Sequence, residues 1–216
     1  MSGKISPSMM CADFLNLKND LKTFEILGIE YLHIDVMDGS FVPNFQLGTD
    51  YTKKLKKASG IPLDIHLMVD RPEDKLDWFE FGPNDYVSFH YEATNHVNRA
   101  IQRIKSRGAK AMLAINPATP LCVLEEVICD LDAVLIMTVN PGYAGQTLVE
   151  STLDKIKRLR DKYSGIEIEV DGNVSFDNAA KMRKAGADIF VAGSSSLFVR
   201  GLELPDAIAK LRECIL

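Results

Sequence analysis

Short runs of apolar and β-branched residues recur along the whole chain, and amphipathic segments separate them. Two runs, Ala111–Ile115 and Ala133–Met137, are apolar at every position, which is typical of parallel strands covered on both faces. In segments 14–27 and 148–159, apolar residues fall three or four positions apart, and this spacing predicts helices. We predict strands at residues 4–9, 30–36, 62–68, 85–90, 110–116, 132–139, 166–171 and 188–193.

Eight such strands, alternating with roughly eight helices, predict a single-domain TIM (β/α)8 barrel over residues 1–216. An open doubly wound sheet is the alternative. Gly28, Gly108 and Gly186 each stand shortly before a predicted strand, where a left-handed residue commonly ends a helix. No linker-like segment divides the chain, so we expect one domain.

Charge and composition exclude several classes of protein. Lys and Arg number 25 against 30 Asp and Glu, giving a net charge of −5 without a basic run, which argues against a nucleic-acid partner. The apolar runs are too short to cross a bilayer, and the first residues lack a secretory signal, so we expect a cytoplasmic protein without a membrane partner. The four cysteines form no CxxC pair. We expect Cys122 and Cys129 to lie in the core.

Histidines and aspartates lie at the predicted C-terminal strand ends, where TIM barrels carry their chemistry. His33 and Asp35 are two positions apart and project to the same side of their strand. If that side is the barrel interior, His66 and Asp171 converge on them from two other strands. A lone strand-end histidine is more often structural, but two histidines and two aspartates at matching depth favour a site for Zn, Mn, Fe or Co.

Other residues at or near the predicted strand ends have functional or structural interpretations. His90 either lines the pocket or packs, whereas His96 is expected on the surface. Asp38 and Asp64 are expected to support turns or neighbouring side chains rather than to catalyse. Thioethers either fill gaps in the core or form an apolar side of the pocket that excludes water. The methionines concerned are Met37, Met68 and Met137.

Glycine-containing turns follow the last three predicted strands, at residues 140–146, 171–173 and 192–196. Glycine lets backbone N–H groups approach an anion, and the loops after strands 7 and 8 commonly bind phosphate in TIM barrels. Ser194 and the two serines after it predict the start of a short helix. No lysine falls at these strand ends and no GxSxG motif is present, which argues against a Schiff-base aldolase and a serine hydrolase.

Seven motifs in order along the chain resemble those of the ribulose-phosphate 3-epimerase family. They are Ile5–Ser8, His33–Asn44, Asp64–Met68, Asn116–Pro120, Val139–Gly142, Glu169–Gly172 and Val191–Ser194. The resemblance implies a barrel of the ribulose-phosphate-binding type that interconverts D-ribulose 5-phosphate and D-xylulose 5-phosphate at carbon 3.

The resemblance also implies roles for individual residues. His33, Asp35, His66 and Asp171 would hold one divalent metal ion, and the two aspartates would be the acid and base. Ser8, His66 and Asp171 would contact the sugar, with the three methionines beside the reaction intermediate. The implied phosphate contacts are Gly142, Tyr143, Ala144, Gly145, Gly172, Asn173, Gly193 and Ser194. We expect a homo-oligomer, because homo-oligomers are common in the family.

Some positions depart from the family pattern and leave alternatives open. Members usually carry Ser at position 11, Phe-Gly at 143–144 and Gly at 173, where this chain has Cys11, Tyr143-Ala144 and Asn173. Segments 7–11 and 137–139 are similar to D-allulose-6-phosphate 3-epimerases, which act on a longer sugar. A barrel that binds sugar phosphates without catalysis is a second alternative. A related decarboxylase or aldolase is a third, although the expected lysine is absent.

Overall fold

Parallel strands form a closed barrel in the computed structural model, which describes residues 2–216. The strands are β1 (Lys4–Pro7), β2 (Leu32–Asp38), β3 (Phe45–Gln46), β4 (Leu63–Met68), β5 (Tyr86–His90), β6 (Lys110–Ile115), β7 (Ala133–Met137), β8 (Glu167–Asp171) and β9 (Ile189–Ala192). The α-helices are α1 (Leu17–Ile26), α2 (Thr49–Ala58), α3 (Val97–Ser106), α4 (Ser151–Lys162), α5 (Phe176–Ala185) and α6 (Leu204–Cys214).

The order of strands in the sheet is β1-β9-β8-β7-β6-β5-β4-β2-β3. All neighbours pair in parallel except the short β3, which runs antiparallel to the end of β2. A parallel bridge between Ser8 and His33 joins β1 to β2 and closes the ring. The predicted TIM barrel is therefore confirmed, and each of the eight predicted strands overlaps one barrel strand.

Alternation along the strands separates two layers of buried side chains. On β7, Val134 and Ile136 belong to the cluster that packs against the helices, whereas Ala133 and Leu135 belong to a separate cluster on the opposite, inner face. On β2 and β4, by contrast, the inner positions are polar: His33, Asp35, Asp64 and His66 alternate with apolar residues that face the helices. The barrel interior is thus apolar on one side and polar and titratable on the other.

The prediction of roughly eight helices is wrong, because the structure has six α-helices within residues 2–216. Short 3-10 segments replace helices after β4 and β6: Pro72–Asp74, Leu76–Trp78, Leu121–Leu124 and Ile128–Asp130. At two of these segments the buried residues are three apart, Leu76 and Phe79 in one case and Leu121 and Leu124 in the other, which suits the three-residue turn of a 3-10 helix. Two further 3-10 turns, Met9–Cys11 and Tyr91–Ala93, follow β1 and β5.

The expected burial of Cys122 and Cys129 is also wrong. Both residues lie on these 3-10 segments and are exposed, because Leu121–Leu124 buries only its two leucines and Ile128–Asp130 buries none of its residues. The glycine prediction is confirmed: Gly28, Gly108 and Gly186 have φ values of +64°, +81° and +113° just after α1, α3 and α5. Within residues 2–216, no helix is long and apolar enough to cross a membrane.

Candidate active site

A pocket opens at the C-terminal ends of the barrel strands. It is lined by residues that end the strands and by the loops that follow them, which is where TIM barrels place their active sites. Its lining includes Ser8, Cys11, Asp35, Met37, Met68, Met137, Gly142, Tyr143, Ala144, Gly145, Asp171, Gly172, Asn173, Gly193 and Ser194. His33 and His66 lie at the inner end of this pocket, beside Asp35 and Asp171.

Two histidines and two aspartates meet at this inner end. His33 Nε2 lies 3.4 Å from Asp35 Oδ1, and His66 Nδ1 lies 3.7 Å from Asp35 Oδ1 and 3.6 Å from Asp171 Oδ2. One ligand atom from each of the four residues lies within 4.8 Å of the others. His33 Nε2 and His66 Nδ1 are buried and have no hydrogen-bond partner. Because buried polar atoms are normally partnered, this set of N and O donors fits a divalent cation and can hold one.

The other ring nitrogen of His33 is held by acidic residues. His33 Nδ1 lies 2.6 Å from Asp64 Oδ2, which also accepts a hydrogen bond from the Ser6 hydroxyl at 2.9 Å. A carboxylate at Nδ1 fixes the tautomer that leaves Nε2 free to bind a metal. Asp64 therefore supports a neighbouring side chain, as expected.

Glu169 is the buried carboxyl that sequence reasoning missed. It is fully buried, and its Oε1 lies 3.3 Å from His33 Nδ1. Burial and the neighbouring Asp64 carboxylate raise the pKa of Glu169 well above its ordinary value. The available signal was its place between the apolar residues Ile168 and Val170, two positions before Asp171.

His90 is a hydrogen-bonding residue rather than only a packing one. Its Nε2 lies 2.8 Å from His66 Nε2, and the two rings stack with centroids 5.0 Å apart. Burial lowers the pKa of His90 to about 4 despite the Glu92 carboxylate 3.4 Å from its Nδ1, so His90 is neutral near pH 7. Burial alone would raise the pKa of Glu92, but the nearby His90 and hydrogen bonds from Thr119 and Asn116 outweigh it and lower that pKa to about 2.

The environments of Asp35 and Asp171 drive their pKa values apart. Burial alone would raise the pKa of Asp35, but the positive charge of His33 and the nearby His66 imidazole outweigh it and lower that pKa. Burial and the negative charge of Asp35 raise the pKa of Asp171 to about 7. Near pH 7, an ionised Asp35 and a partly protonated Asp171 therefore face the same pocket, which suits acid–base chemistry. Ser8 donates a hydrogen bond of 2.8 Å to Asp35 Oδ2.

An apolar side of the pocket is formed by Met37, Met68 and Met137. All three are at most 5% exposed and line the pocket. Met37 and Met68 pack with Val42 in a small cluster of their own, whereas Met137 belongs to the inner cluster of the barrel. The methionines therefore both fill space and keep water from the inner end.

The loops after β7, β8 and β9 form the outer part of the pocket. Asn44 donates to the carbonyl of Gly142 at 2.9 Å, and the Tyr143 hydroxyl donates to the carbonyl of Pro43 at 2.6 Å. These bonds tie the loop after β7 to the loop after β2. Asn173 has φ +48° and donates to the carbonyl of Gln146 at 2.8 Å. The departures from the family pattern at 143 and 173 thus make hydrogen bonds within and between these loops.

Two glycines of these loops have little room for a side chain. A Cβ on Gly172 would lie 2.4 Å from Val139 Cγ2, and one on Gly193 would lie 3.1 Å from Cys11 Sγ. The predicted short helix at Ser194 is wrong. Residues 194–198 form a turn, in which the N–H groups of Ser196 and Phe198 both bond the carbonyl of Gly193. Because both N–H groups bond the same carbonyl, the successive i to i+4 hydrogen bonds of a helix do not form here.

Outside this site, His96 is exposed as predicted. Asp38 accepts hydrogen bonds from the N–H groups of Ser40, Phe41 and Asp70 and so supports the loop after β2.

The fold and this site define an α/β-barrel enzyme with a paired-carboxylate pocket. The sequence model described as the ribulose-phosphate 3 epimerase family matches residues 4–198, and the chain belongs to this family. It is therefore an isomerase of the epimerase type that acts on carbohydrates.

Curated relatives carry the same assignment. The chain is 44% identical to a ribulose-phosphate 3-epimerase of Bacillus subtilis, over 89% of this chain and 91% of the relative. It is 40% identical to one of Methanocaldococcus jannaschii, over 99% of this chain and 91% of the relative.

Solved structures of lower identity share the barrel. A 3-hexulose-6-phosphate synthase from Salmonella typhimurium aligns with TM-score 0.69 and 14% identity, over 98% of each chain. An N-(5'-phosphoribosyl)anthranilate isomerase from Pyrococcus furiosus aligns with TM-score 0.65 and 16% identity, over 99% of this chain and 98% of that one. At these identities the likeness shows the fold alone.

Proposed function

We propose that this chain interconverts D-ribulose 5-phosphate and D-xylulose 5-phosphate by inverting carbon 3. The observation that carries the proposal is the pair Asp35 and Asp171, whose pKa values are driven apart in one pocket. The relatives described as ribulose-phosphate 3-epimerases support the pentulose as substrate.

The two aspartates serve as base and acid on opposite faces of carbon 3. The ionised Asp35 removes the proton from carbon 3, which is acidic because it adjoins the carbonyl carbon. Electrons from the broken C–H bond form an enediolate, in which carbon 3 is planar and has lost its original configuration. The protonated Asp171 then delivers its proton to the other face, leaving Asp171 ionised and Asp35 protonated. The reverse reaction begins from that state.

One divalent ion, Zn, Fe, Mn or Co, is proposed to be held by His33, Asp35, His66 and Asp171. The unpartnered His33 Nε2 and His66 Nδ1 support these ligands. When bound, such a cation supplies Lewis-acid stabilisation of the negative charge that develops on the sugar oxygens.

Remaining contacts are assigned by position in the pocket. Ser8 and His66 lie beside Asp35 and are proposed to contact the sugar, with Asp171 opposite. Met37, Met68 and Met137 exclude water from the intermediate, which strengthens the electrostatic interactions around it. The phosphate is proposed to lie on the N–H groups of the glycine-containing loops. These contacts are Gly142, Tyr143, Ala144, Gly145, Gly172, Asn173, Gly193 and Ser194.

A paired kinetic comparison of D-ribulose 5-phosphate and D-allulose 6-phosphate on metal-replete enzyme tests the proposal. We expect a higher kcat/KM for the pentulose. A preference for the hexulose would contradict the proposed substrate and assign Asn173 and the 143–144 loop to recognition of a longer sugar. Turnover of neither sugar would contradict the proposed reaction itself.

Assembly and location are also proposals. We propose a cytoplasmic homo-oligomer, as is common in the family. Light scattering on the purified protein gives its mass relative to the 24.0 kDa chain, and a monomer would contradict the first part. Cell fractionation tests the second part.

A further inference from the structure

The partners of His66 on the side away from Asp35 have no role in the reaction described above. His66 Nε2 lies 2.8 Å from His90 Nε2, and both side chains are fully buried. His90 Nδ1 is buried without a hydrogen-bond partner and faces Glu92 Oε2 at 3.4 Å. Because two imidazoles share one short contact, one ring must donate and the other must accept.

We propose that His90 and Glu92 are positioning residues that hold His66 in the tautomer needed to bind a metal ion. A metal at Nδ1 of neutral His66 requires its proton on Nε2, which then donates to His90 Nε2. His90 must therefore carry its own proton on Nδ1, directed at the Glu92 carboxylate. We call this sequence of donors the His66–His90–Glu92 chain. It rests on the metal site of the proposed function.

The reverse direction of donation is incompatible with a metal at this position. If His90 Nε2 donated to His66 Nε2, neutral His66 would carry its proton on Nδ1. That proton would point between Asp35 Oδ1 and Asp171 Oδ2, which lie 3.7 Å and 3.6 Å away. A metal at His66 Nδ1 and the Glu92 carboxylate beside His90 therefore favour the same tautomer of His66.

Glu92 is itself fixed in place by the loop after β6. Its Oε1 accepts from the N–H of Asn116 at 2.9 Å and from the Thr119 hydroxyl, and its side chain is 24% exposed. The His90 ring also packs against Phe41, with centroids 4.7 Å apart. His90 is therefore held both by ring contacts and by an anchored carboxylate. This differs from His33, whose Nδ1 contacts Asp64 directly.

Zinc affinity, measured against a chromophoric chelator, tests the His66–His90–Glu92 chain without any activity assay. Removing a partner of a metal-bound histidine typically weakens metal binding about 10–100-fold, and we expect this loss for His90→Phe. His90→Gln places an amide oxygen near the position of Nε2 and should restore part of the affinity. Glu92→Gln should show a smaller loss than His90→Phe. His96 is exposed and does not belong to the His66–His90–Glu92 chain, so the His96→Phe variant should bind zinc like the unmodified protein.

Nitrogen NMR of the zinc-loaded, 15N-histidine-labelled protein reads the tautomers directly, and only four histidines contribute. We expect His66 to be protonated on Nε2 alone and His90 on Nδ1 alone. A His90 protonated on Nε2 would overturn the inference, as would a folded His90→Phe variant with zinc affinity within about twofold of the unmodified protein. If the His90→Phe variant does not fold, the tautomers of His66 and His90 in the unmodified protein still test the inference. Failure of the unmodified protein to bind zinc would instead contradict the proposed metal site.

Discussion

Lys155 provides a quantitative test of how the loop near the site is held. It lies on α4, is 5% exposed, and its ammonium donates to the carbonyls of Asn116, Pro117 and Thr119 at 2.9, 2.6 and 2.7 Å. The same loop anchors Glu92. Replacing Lys155 by methionine keeps the aliphatic stem and removes all three donors.

The expected loss follows from two opposing contributions. A hydrogen bond to a charged group contributes about 1.5–3 kcal/mol, so three independent bonds would contribute roughly 4.5–9 kcal/mol. The loop is partly exposed, so water can replace some of the lost donors. Burial also lowers the pKa of Lys155, which shows that the ammonium loses hydration on folding. We therefore expect Lys155→Met to lower the free energy of unfolding by about 3 kcal/mol.

Urea unfolding followed by circular dichroism measures this loss. A change of about 3 kcal/mol should also lower Tm by roughly 6–12 °C in a domain of this size. Lys157→Met on the exposed face of the same helix is the matched control and should change stability by less than about 0.5 kcal/mol. A loss below about 1 kcal/mol for Lys155→Met, with an unchanged m value, would refute the reasoning.

Three further predictions concern the pocket and its pH dependence. Gly172 has φ +118°, and its Cβ would lie 2.4 Å from Val139 Cγ2, so Gly172→Ala should lower kcat/KM by about 100-fold through displacement of the loop. The open position Gly165 should tolerate alanine, and equal effects would contradict this reading. Chelation should abolish turnover and added Zn, Mn, Fe or Co should restore it, whereas activity that survives complete metal removal would contradict the metal site. The pKa of His90 lies at about 4 rather than 6.5, so between these pH values the unfolded chain binds more protons and stability falls as pH falls. The metal-free protein should lose about 3 kcal/mol across this window from His90, and a His90→Gln variant with the same slope would contradict that assignment.

Alternation in the sequence was sufficient to predict the barrel and the inner residues of β2 and β4. His33 and Asp35 stand between Leu32, Ile34 and Val36, so one side of the strand is apolar and the other is polar. This pattern has a period of two and needs no knowledge of distant contacts. The same pattern on β8 also marks Glu169, which the prediction overlooked.

Other features depend on contacts that no local pattern contains. The role of His90 is set by the 2.8 Å contact with His66 from a neighbouring strand. The hairpin at Phe45–Gln46 depends on the pairing of a two-residue strand with the end of β2. The opposed pKa shifts of Asp35 and Asp171 depend on burial and on neighbouring charged groups, so they cannot be predicted before the fold is known. Tertiary packing decided each of these outcomes.

Hydrogen exchange at carbon 3 in D2O tests the two-aspartate mechanism most directly. With metal content verified, Asp35→Asn and Asp171→Asn should each lower the rate of epimerisation by about 100- to 10,000-fold. Each variant keeps one carboxylate, so each should still exchange deuterium into a single epimer without inversion, and the two variants should select opposite epimers. Epimerisation at the unmodified rate in either folded variant, or exchange into both epimers by one variant, would contradict the account.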